Sequence, residues 1–156
     1  MSETKSLSIQ LIEVESYFKY KDVLNNKISD VSVGWQIYHI LKVINVVADS
    51  IKVSRPEDYK TNLNEYREKY FTKKYLPRGV ARAPKGVLPP ESFSLENLNE
   101  LQNLAKQNVH DIETLESHAN FVHFIFGLLN KRETQLFLEI HTEHHLKIIR
   151  DILNTK

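Results

Sequence analysis

The apolar stretch VSVGWQIYHILKVINVVADSIKV restricts the possible folds of this chain more than any other feature. Its apolar residues cover well over half of a helical circumference, and Lys42, Asn45 and Asp49 mark a narrow polar side. A helix that is apolar over so wide an arc needs neighbours on several sides. We therefore predict a helix from about residue 32 to about residue 53, in the middle of a helical bundle.

The helical period predicts three more long helices around this one. The first covers about residues 4–25, the third about 94–116, and the fourth begins at Asn130, where Glu133 three residues later completes a capping-box pattern. The residues expected to face the core are Leu7, Leu11, Ile12, Val14, Tyr17 and Phe18 in the first helix, and Leu95, Leu98, Leu101, Leu104, Ala105 and Ile112 in the third.

Residues 56–93 interrupt the helical pattern. A short helix can lie in RPEDYKTNLNEYREKYFTKKY, whereas LPRGVARAPKGVLPPE has too many Gly and Pro residues for a regular helix. Since neither flank is large enough to fold alone, we interpret this segment as a connection within one domain, residues 1–156. The predicted fold is all-α, a four-helix bundle with a long crossover loop between helices 2 and 3. Before the last helix, SHANFVHFIFGLLN predicts a turn with an aromatic patch.

The composition excludes several functional classes. A net charge of +1 over 156 residues provides no general field for nucleic acid. The absence of cysteine excludes disulfides and thiolate metal sites, and is compatible with a reducing cytosol. No apolar run is long enough for a membrane span, and the first residues do not resemble a signal peptide. We expect a cytoplasmic protein whose partner is a small molecule.

The fourth helix places histidines among the residues that it is expected to bury. His141 and His145 are four residues apart, so they lie one turn apart on one face. A buried imidazole without a partner costs about 1–3 kcal/mol, and this face carries no carboxylate. Carbonyl groups, water or a metal ion must therefore satisfy these rings. The predicted inner face is Phe137, Ile140, His141, His144, His145, Ile148 and Ile152, and the outer face is Gln135, Glu139, Thr142, Glu143 and Arg150.

A third ligand would have to come from another helix. His39 lies midway through the most apolar helix, again without an acidic residue on its own face. One histidine facing a pair with i, i+4 spacing is a geometry that fits a bundle core, although a lone His39 would more often be an ordinary core histidine. His144 is a candidate replacement ligand or a hydrogen-bonding group behind the ligands, and His123 is a candidate for packing or for the rim of the site.

Four blocks of the chain, GWQIYHILKVIN, PRGVARAPKGVLPPE, FVHFIFGLLNKRET and FLEIHTEHHLKII, resemble the DinB/YfiT-like superfamily of metal-binding four-helix proteins, in particular an uncharacterised branch of it. The resemblance covers nearly the whole chain. It implies one histidine in the second helix and an H-x-x-x-H pair in the last, which here are His39, His141 and His145. The resemblance therefore selects His145 over His144 as the second member of the pair.

The better-understood branches of that superfamily have Arg-Gly-Gln after the histidine pair, whereas this chain has Leu-Lys-Ile. Relatives include transferases that use low-molecular-weight thiols, and hydrolase-like proteins. The resemblance thus implies a thiol co-substrate or a hydrolytic reaction without selecting between them.

Three neutral imidazoles leave at least one coordination position of a metal open, which is typical of a catalytic or substrate-binding metal. Such a metal can lower the pKa of a bound water for hydrolysis, or hold a thiol as thiolate for S-transfer. Zn²⁺ and Ni²⁺ are the expected ions, and Fe²⁺, Mn²⁺ and Cu²⁺ are alternatives.

The crossover loop is basic, with no acidic residue between its cations. One interpretation is a solvated loop. The other is an anion clamp at the mouth of the site, in which Arg78, Arg82 and Lys85 bind a carboxylate-bearing thiol or a phosphate. The basic residues of this loop are Lys73, Lys74, Arg78, Arg82 and Lys85.

These observations favour a divalent-metal-dependent enzyme that acts on a small molecule, as a thiol S-transferase or as a hydrolase. One alternative is a binding or sensor protein that the metal stabilises without turnover. Another is a metal-free helical scaffold in which an apolar helix face forms a homodimer interface.

Overall fold

The computed structural model describes residues 6–79 and 83–154. These residues are mostly helical with one small sheet, which agrees with the predicted class except for the sheet. Arg82, a predicted anion-binding residue, lies outside the described residues. The elements are α1 (Leu7–Ser16), α2 (Val33–Lys52), α3 (Glu65–Lys73), α4 (Leu95–Glu113), β1 (Asn120–His123), β2 (Gly127–Asn130) and α5 (Lys131–Asn154), with short 3₁₀ helices at Phe18–Tyr20, Pro56–Asp58 and Lys85–Val87.

The central position predicted for α2 is confirmed. α2 packs against both α4 and α5, and α1 contacts the same two helices. Ser32 caps the start of α2 by accepting a hydrogen bond from the Trp35 backbone N–H. Because both α4 and α5 pack against α2, the wide apolar arc of α2 is buried.

The first helix is shorter than predicted. α1 ends at Ser16, although the prediction continued to about residue 25. The chain instead turns back onto the start of α2, where the Val33 N–H donates to the Val23 carbonyl and the Gly34 N–H donates to the Lys21 carbonyl. A Cβ atom at position 34 would lie 2.6 Å from the Lys21 oxygen, so only glycine permits this approach.

Several predicted core positions are wrong. Ile12, Leu95 and Leu104 are exposed, whereas Thr142 is fully buried. α5 packs against α1 as well as α2, so it buries a second stripe that the single predicted face did not include. That stripe consists of Leu138, Thr142, Leu146 and Ile149.

Polar side chains take interior positions where hydrogen bonds satisfy them. Asn45, predicted on the polar side of α2, is buried and accepts a hydrogen bond from the Asn108 amide of α4. Gln102 of α4 donates to the Leu11 carbonyl of α1. α4 is therefore held to its neighbours partly by polar contacts, and some of its leucines face outward.

The predicted aromatic turn is a β-hairpin. β1 and β2 pair antiparallel, with His123 opposite Gly127. Gly127 has a φ of +75°, which favours glycine at the end of the turn. The hairpin leads directly into α5, and the predicted capping box at the start of that helix is confirmed. The Glu133 N–H donates to Asn130 Oδ1 at 2.9 Å, and the Asn130 N–H donates to Glu133 Oε1 at 3.0 Å.

None of the helices in the described ranges combines the length and the apolar character that a transmembrane span needs.

Candidate metal centre

Three histidines from two helices converge in the interior. His39 of α2 and the pair His141 and His145 of α5 each offer one ring nitrogen, and these nitrogens all lie within 4.8 Å of one another. The ring centroids are 4.6 to 5.0 Å apart. The packing of α2 against α5 brings His39 opposite the pair, and the helical turn places both members of the pair on the side of α2. We call this group the three-histidine site.

Hydrogen bonds at Nδ1 orient two of the three rings. His39 Nδ1 lies 3.0 Å from the Val87 carbonyl oxygen, and His145 Nδ1 lies 2.5 Å from Gln36 Oε1. Since a carbonyl oxygen only accepts, each Nδ1 must carry the proton. Both Nε2 atoms are therefore left with free lone pairs, which is the arrangement found around metal-binding histidines.

His141 completes the group through its Nε2, which lies 3.2 Å from His39 Nε2. Two nitrogen ligands of a tetrahedral ion are about 3.3 Å apart when each metal–nitrogen bond is about 2.0–2.1 Å. The observed separation therefore suits two ligands of one ion. His141 Nδ1 is buried and has no hydrogen-bond partner among the described residues. Because His39 Nε2 carries no proton, His141 Nε2 donates the hydrogen bond between the two rings, and this proton must move to Nδ1 before His141 Nε2 can bind a metal.

Burial keeps these imidazoles in the form that binds a metal. Burial lowers the pKa of His39, although the Val87 carbonyl partly opposes this effect. It lowers the pKa of both His141 and His145 well below the usual range, and the neighbouring histidines lower it further. All three rings are therefore neutral at pH 7, so none of them has to release a net proton before a cation binds.

Aromatic side chains form the apolar walls of the site. Trp35 stacks on His39 with ring centroids 5.1 Å apart, and Phe137 packs against His141 at 5.6 Å. Such walls restrict access of water and strengthen electrostatic interactions inside.

His144 lies beside the site rather than in it. Its ring is 4.9 Å from that of His145, but its Nδ1 lies 3.0 Å from the Leu76 carbonyl oxygen in the segment after α3. Burial lowers the pKa of His144, and the Leu76 carbonyl opposes this. The geometry thus groups His145, not His144, with His39 and His141.

His123 supports the hairpin and an aromatic cluster. Its Nδ1 accepts hydrogen bonds from the Ile125 and Phe126 N–H groups at 3.0 and 3.1 Å, so Nε2 carries the proton. Burial lowers the pKa of His123 to about 4. The ring packs on Phe137, which also contacts the ring of His141. His123 is therefore a packing residue one ring away from the site.

The predicted anion-binding residues are in different situations. Arg78 is exposed and its Nη2 lies 2.6 Å from Asp151 Oδ2, so its charge is already compensated. Lys85 is exposed in the 3₁₀ helix Lys85–Val87. Arg82 is outside the described residues.

Two contributions to the site were missed by the sequence analysis. Gln36 lies three residues before His39, so helical spacing could have identified it as a neighbour on the same face. The Val87 carbonyl had no comparable signal, because any residue offers a backbone carbonyl.

Comparison with known proteins adds no relative. No protein-family model matches the chain, and neither a curated protein nor a solved structure matches it.

Proposed function

We propose that the three-histidine site binds a divalent metal ion, Zn²⁺ or Ni²⁺ before Fe²⁺ or Mn²⁺, and that the protein is a metal-dependent enzyme acting on a small molecule. The observation that carries the proposal is the arrangement of the rings. The Nδ1 atoms of His39 and His145 are held by carbonyl groups, while the Nε2 atoms of His39 and His141 approach to a distance that suits ligands of one ion.

The reaction we propose is thiol S-transfer or hydrolysis. Within the described ranges the group contains three ligands and no fourth acidic or histidine side chain, which leaves coordination positions for a reactant. When bound, the metal supplies Lewis acidity, which polarises an electrophile or lowers the pKa of a water or thiol. The chain itself orients the imidazoles of His39 and His145 through Val87 and Gln36, and packs Trp35 against His39 and Phe137 against His141.

Membership of the DinB/YfiT-like superfamily, the four-helix-bundle description and the low-molecular-weight thiol co-substrate belong to the same proposal. What supports the bundle is the packing of α2 and α1 against both α4 and α5. What supports the family is the grouping of the same three histidines that the resemblance implies.

Metal uptake tests the binding step. We expect the chelator-treated protein to take up one equivalent of Zn²⁺ or Ni²⁺ in calorimetric titration, with metal content checked by mass spectrometry. His145→Ala should weaken binding at least about 100-fold, because loss of an outer hydrogen-bonding partner alone costs about 10–100-fold. His144→Ala is the matched control and should keep the wild-type affinity. Absence of uptake, or equal affinity of His145→Ala and wild type, would contradict the proposal.

Turnover separates the enzyme from a second candidate, a binding protein that the metal merely stabilises. The observation behind that candidate is that the three ligands join α2 to α5, so a shared ion would cross-link two helices distant in sequence. The loaded protein should be assayed with low-molecular-weight thiols plus electrophiles, and with ester or amide substrates. Metal-dependent turnover supports the enzyme, whereas a rise in melting temperature without turnover supports the binding protein.

A further inference from the structure

A pocket lies directly beside the three-histidine site, between α5 and the segment that follows α3. Its volume of about 340 Å³ falls within the range of small-molecule pockets, about 300–1,000 Å³. We call it the loop–helix pocket. It is lined by Lys74, Tyr75, Leu76 and Arg78 on one side and by Ile140, Glu143, His144, Lys147 and Asp151 of α5 on the other.

The pocket has an excess of positive charge. Its carboxylates are compensated, because Asp151 pairs with Arg78 at 2.6 Å and Glu143 accepts hydrogen bonds from Arg150 at 2.9 and 3.1 Å. Lys74 and Lys147, in contrast, form no ion pair within the part of the chain that the structure describes. Two ammonium groups on one concave surface are thus outside any ion pair of the described residues, although Lys74 also interacts electrostatically with Glu139 of α5, whose pKa burial raises and Lys74 partly lowers.

The two cations lie on opposite walls of the pocket, Lys74 on the loop and Lys147 on α5. Lys147 Nζ lies 5.8 Å from the centroid of the Tyr75 ring, a cation–π contact across the pocket from α5 to the loop. Lys74 follows α3 as its C-cap residue in the left-handed conformation, with a φ of +51°. Each wall of the pocket therefore contributes one lysine that is outside any described ion pair.

His144 connects the pocket with the three-histidine site. Its ring forms part of the pocket wall and lies 4.9 Å from the ring of His145. The Leu76 carbonyl, also in the wall, holds its Nδ1 at 3.0 Å. Ile140, the residue before His141, lines the pocket as well. A ligand in this pocket is thus one side chain away from a metal ligand.

We infer that the loop–helix pocket binds a carboxylate or phosphate group of a small molecule, with Lys74 and Lys147 as its cationic contacts. The inference of an anion-binding site is drawn from the pocket alone. That the same molecule presents its reactive end to the three-histidine site rests on the function proposed above. The substrate class is therefore a small molecule with an anionic end and a reactive end.

Titration with inorganic phosphate and with succinate tests this inference and distinguishes the two anions. Binding should be followed by chemical-shift changes in the metal-free protein at low ionic strength. We expect at least one probe to shift the amide signals of residues 74–78 and 140–151. Lys74→Met and Lys147→Met should each weaken that binding about three- to tenfold, and added salt should reduce the difference, since exposed charges are screened.

Lys106→Met is the matched control, because Lys106 is a similarly exposed lysine on α4 that pairs with Glu15. Its affinity for either probe should equal that of wild type. Unchanged affinity in both pocket variants, or no shift with either probe, would overturn the inference. Metal titration of the same samples keeps the two proposals apart: anion binding without metal uptake contradicts only the proposed function, and metal uptake without anion binding contradicts only the pocket.

Discussion

Each imidazole of the three-histidine site is a polar group placed among apolar side chains, and the free-energy cost of burying it depends on the hydrogen-bond partners of its nitrogens. Two of the Nδ1 atoms donate to carbonyl oxygens, one from the loop backbone and one from the side chain of Gln36. Those contacts offset part of the cost of burial and leave Nε2 with a lone pair. At the residue scale the site is therefore defined by these partners as much as by the histidines.

Gln36 provides a test of this orienting role. Gln36→Met retains a side chain of similar size but removes the acceptor for His145 Nδ1. We expect the affinity for Zn²⁺ or Ni²⁺ to fall about 10–100-fold, because the ring loses both its orientation and its fixed tautomer. Competition titration against a chromophoric chelator measures the change.

Gln102→Met is the control for that experiment. Gln102 is buried like Gln36, but its side chain donates to the Leu11 carbonyl and not to a histidine of the site. It should lower the free energy of unfolding without changing metal affinity. Equal metal affinity in Gln36→Met and wild type would show that Gln36 does not orient His145.

At the level of elements, α5 begins where side chains provide the hydrogen-bond acceptors that the first backbone N–H groups of a helix lack. Asn130 and Glu133 exchange hydrogen bonds with each other's N–H groups, and Ser94 and Asn97 do the same at the start of α4. Because the first N–H groups of a helix have no intrahelical acceptor, these boxes determine where the helices start. The start of α5 in turn sets the register of His141 and His145.

Asn130→Ala should therefore reduce the free energy of unfolding by about 1 kcal/mol, the usual contribution of an N-cap side chain. Urea denaturation followed by circular dichroism measures it. Asn130→Asp retains an acceptor for the Glu133 N–H and should lie close to wild type. If the Ala and Asp variants were equally stable, the side-chain cap would not contribute.

For the whole molecule, the neutral histidines in the interior make the free energy of unfolding depend on pH. Burial lowers the pKa of these side chains in the folded state, whereas in the unfolded chain their pKa is about 6.5. Below that pH the unfolded chain binds protons that the folded chain does not, so unfolding becomes more favourable as the pH falls. The histidines concerned are His39, His123, His141, His144 and His145.

We expect the free energy of unfolding of the metal-free protein to be nearly constant from pH 8 to pH 7. It should decrease below about pH 6.5, by at most about 1.4 kcal/mol per pH unit for each histidine that stays neutral in the fold. For His123 the decrease extends to about pH 4, its folded pKa. Urea titrations at several pH values measure the profile.

His141→Phe should make that profile shallower, because one group that takes up a proton only on unfolding is removed. A profile that does not fall between pH 7 and pH 5.5 would contradict the burial of neutral histidines.

Local features of the sequence were sufficient to predict much of the helical structure. The apolar arc predicted α2 within a residue at each end, and the capping box predicted the start of α5. The i, i+4 spacing placed His141 and His145 on one face. These inferences succeed because helical period and capping depend on residues within about one turn of each other.

The predictions that were wrong concern features that depend on contacts between different elements of the fold. The helix α1 ends early because residues 21–23 pair with the start of α2, and Leu104 is exposed because polar residues of α4 occupy interior positions. The hairpin before α5 was predicted only as a turn, since its short strands share no long alternating pattern.

Patterns local to the chain were enough to predict a mostly helical fold, the bounds of α2, the start of α5 and the histidine pair with i, i+4 spacing. Which nitrogen each ring presents, and where a ligand can approach, depends on contacts between residues that are far apart along the chain. The partners that orient His39 and His145 lie 48 and 109 residues away, and the loop–helix pocket exists only where the segment after α3 packs on α5.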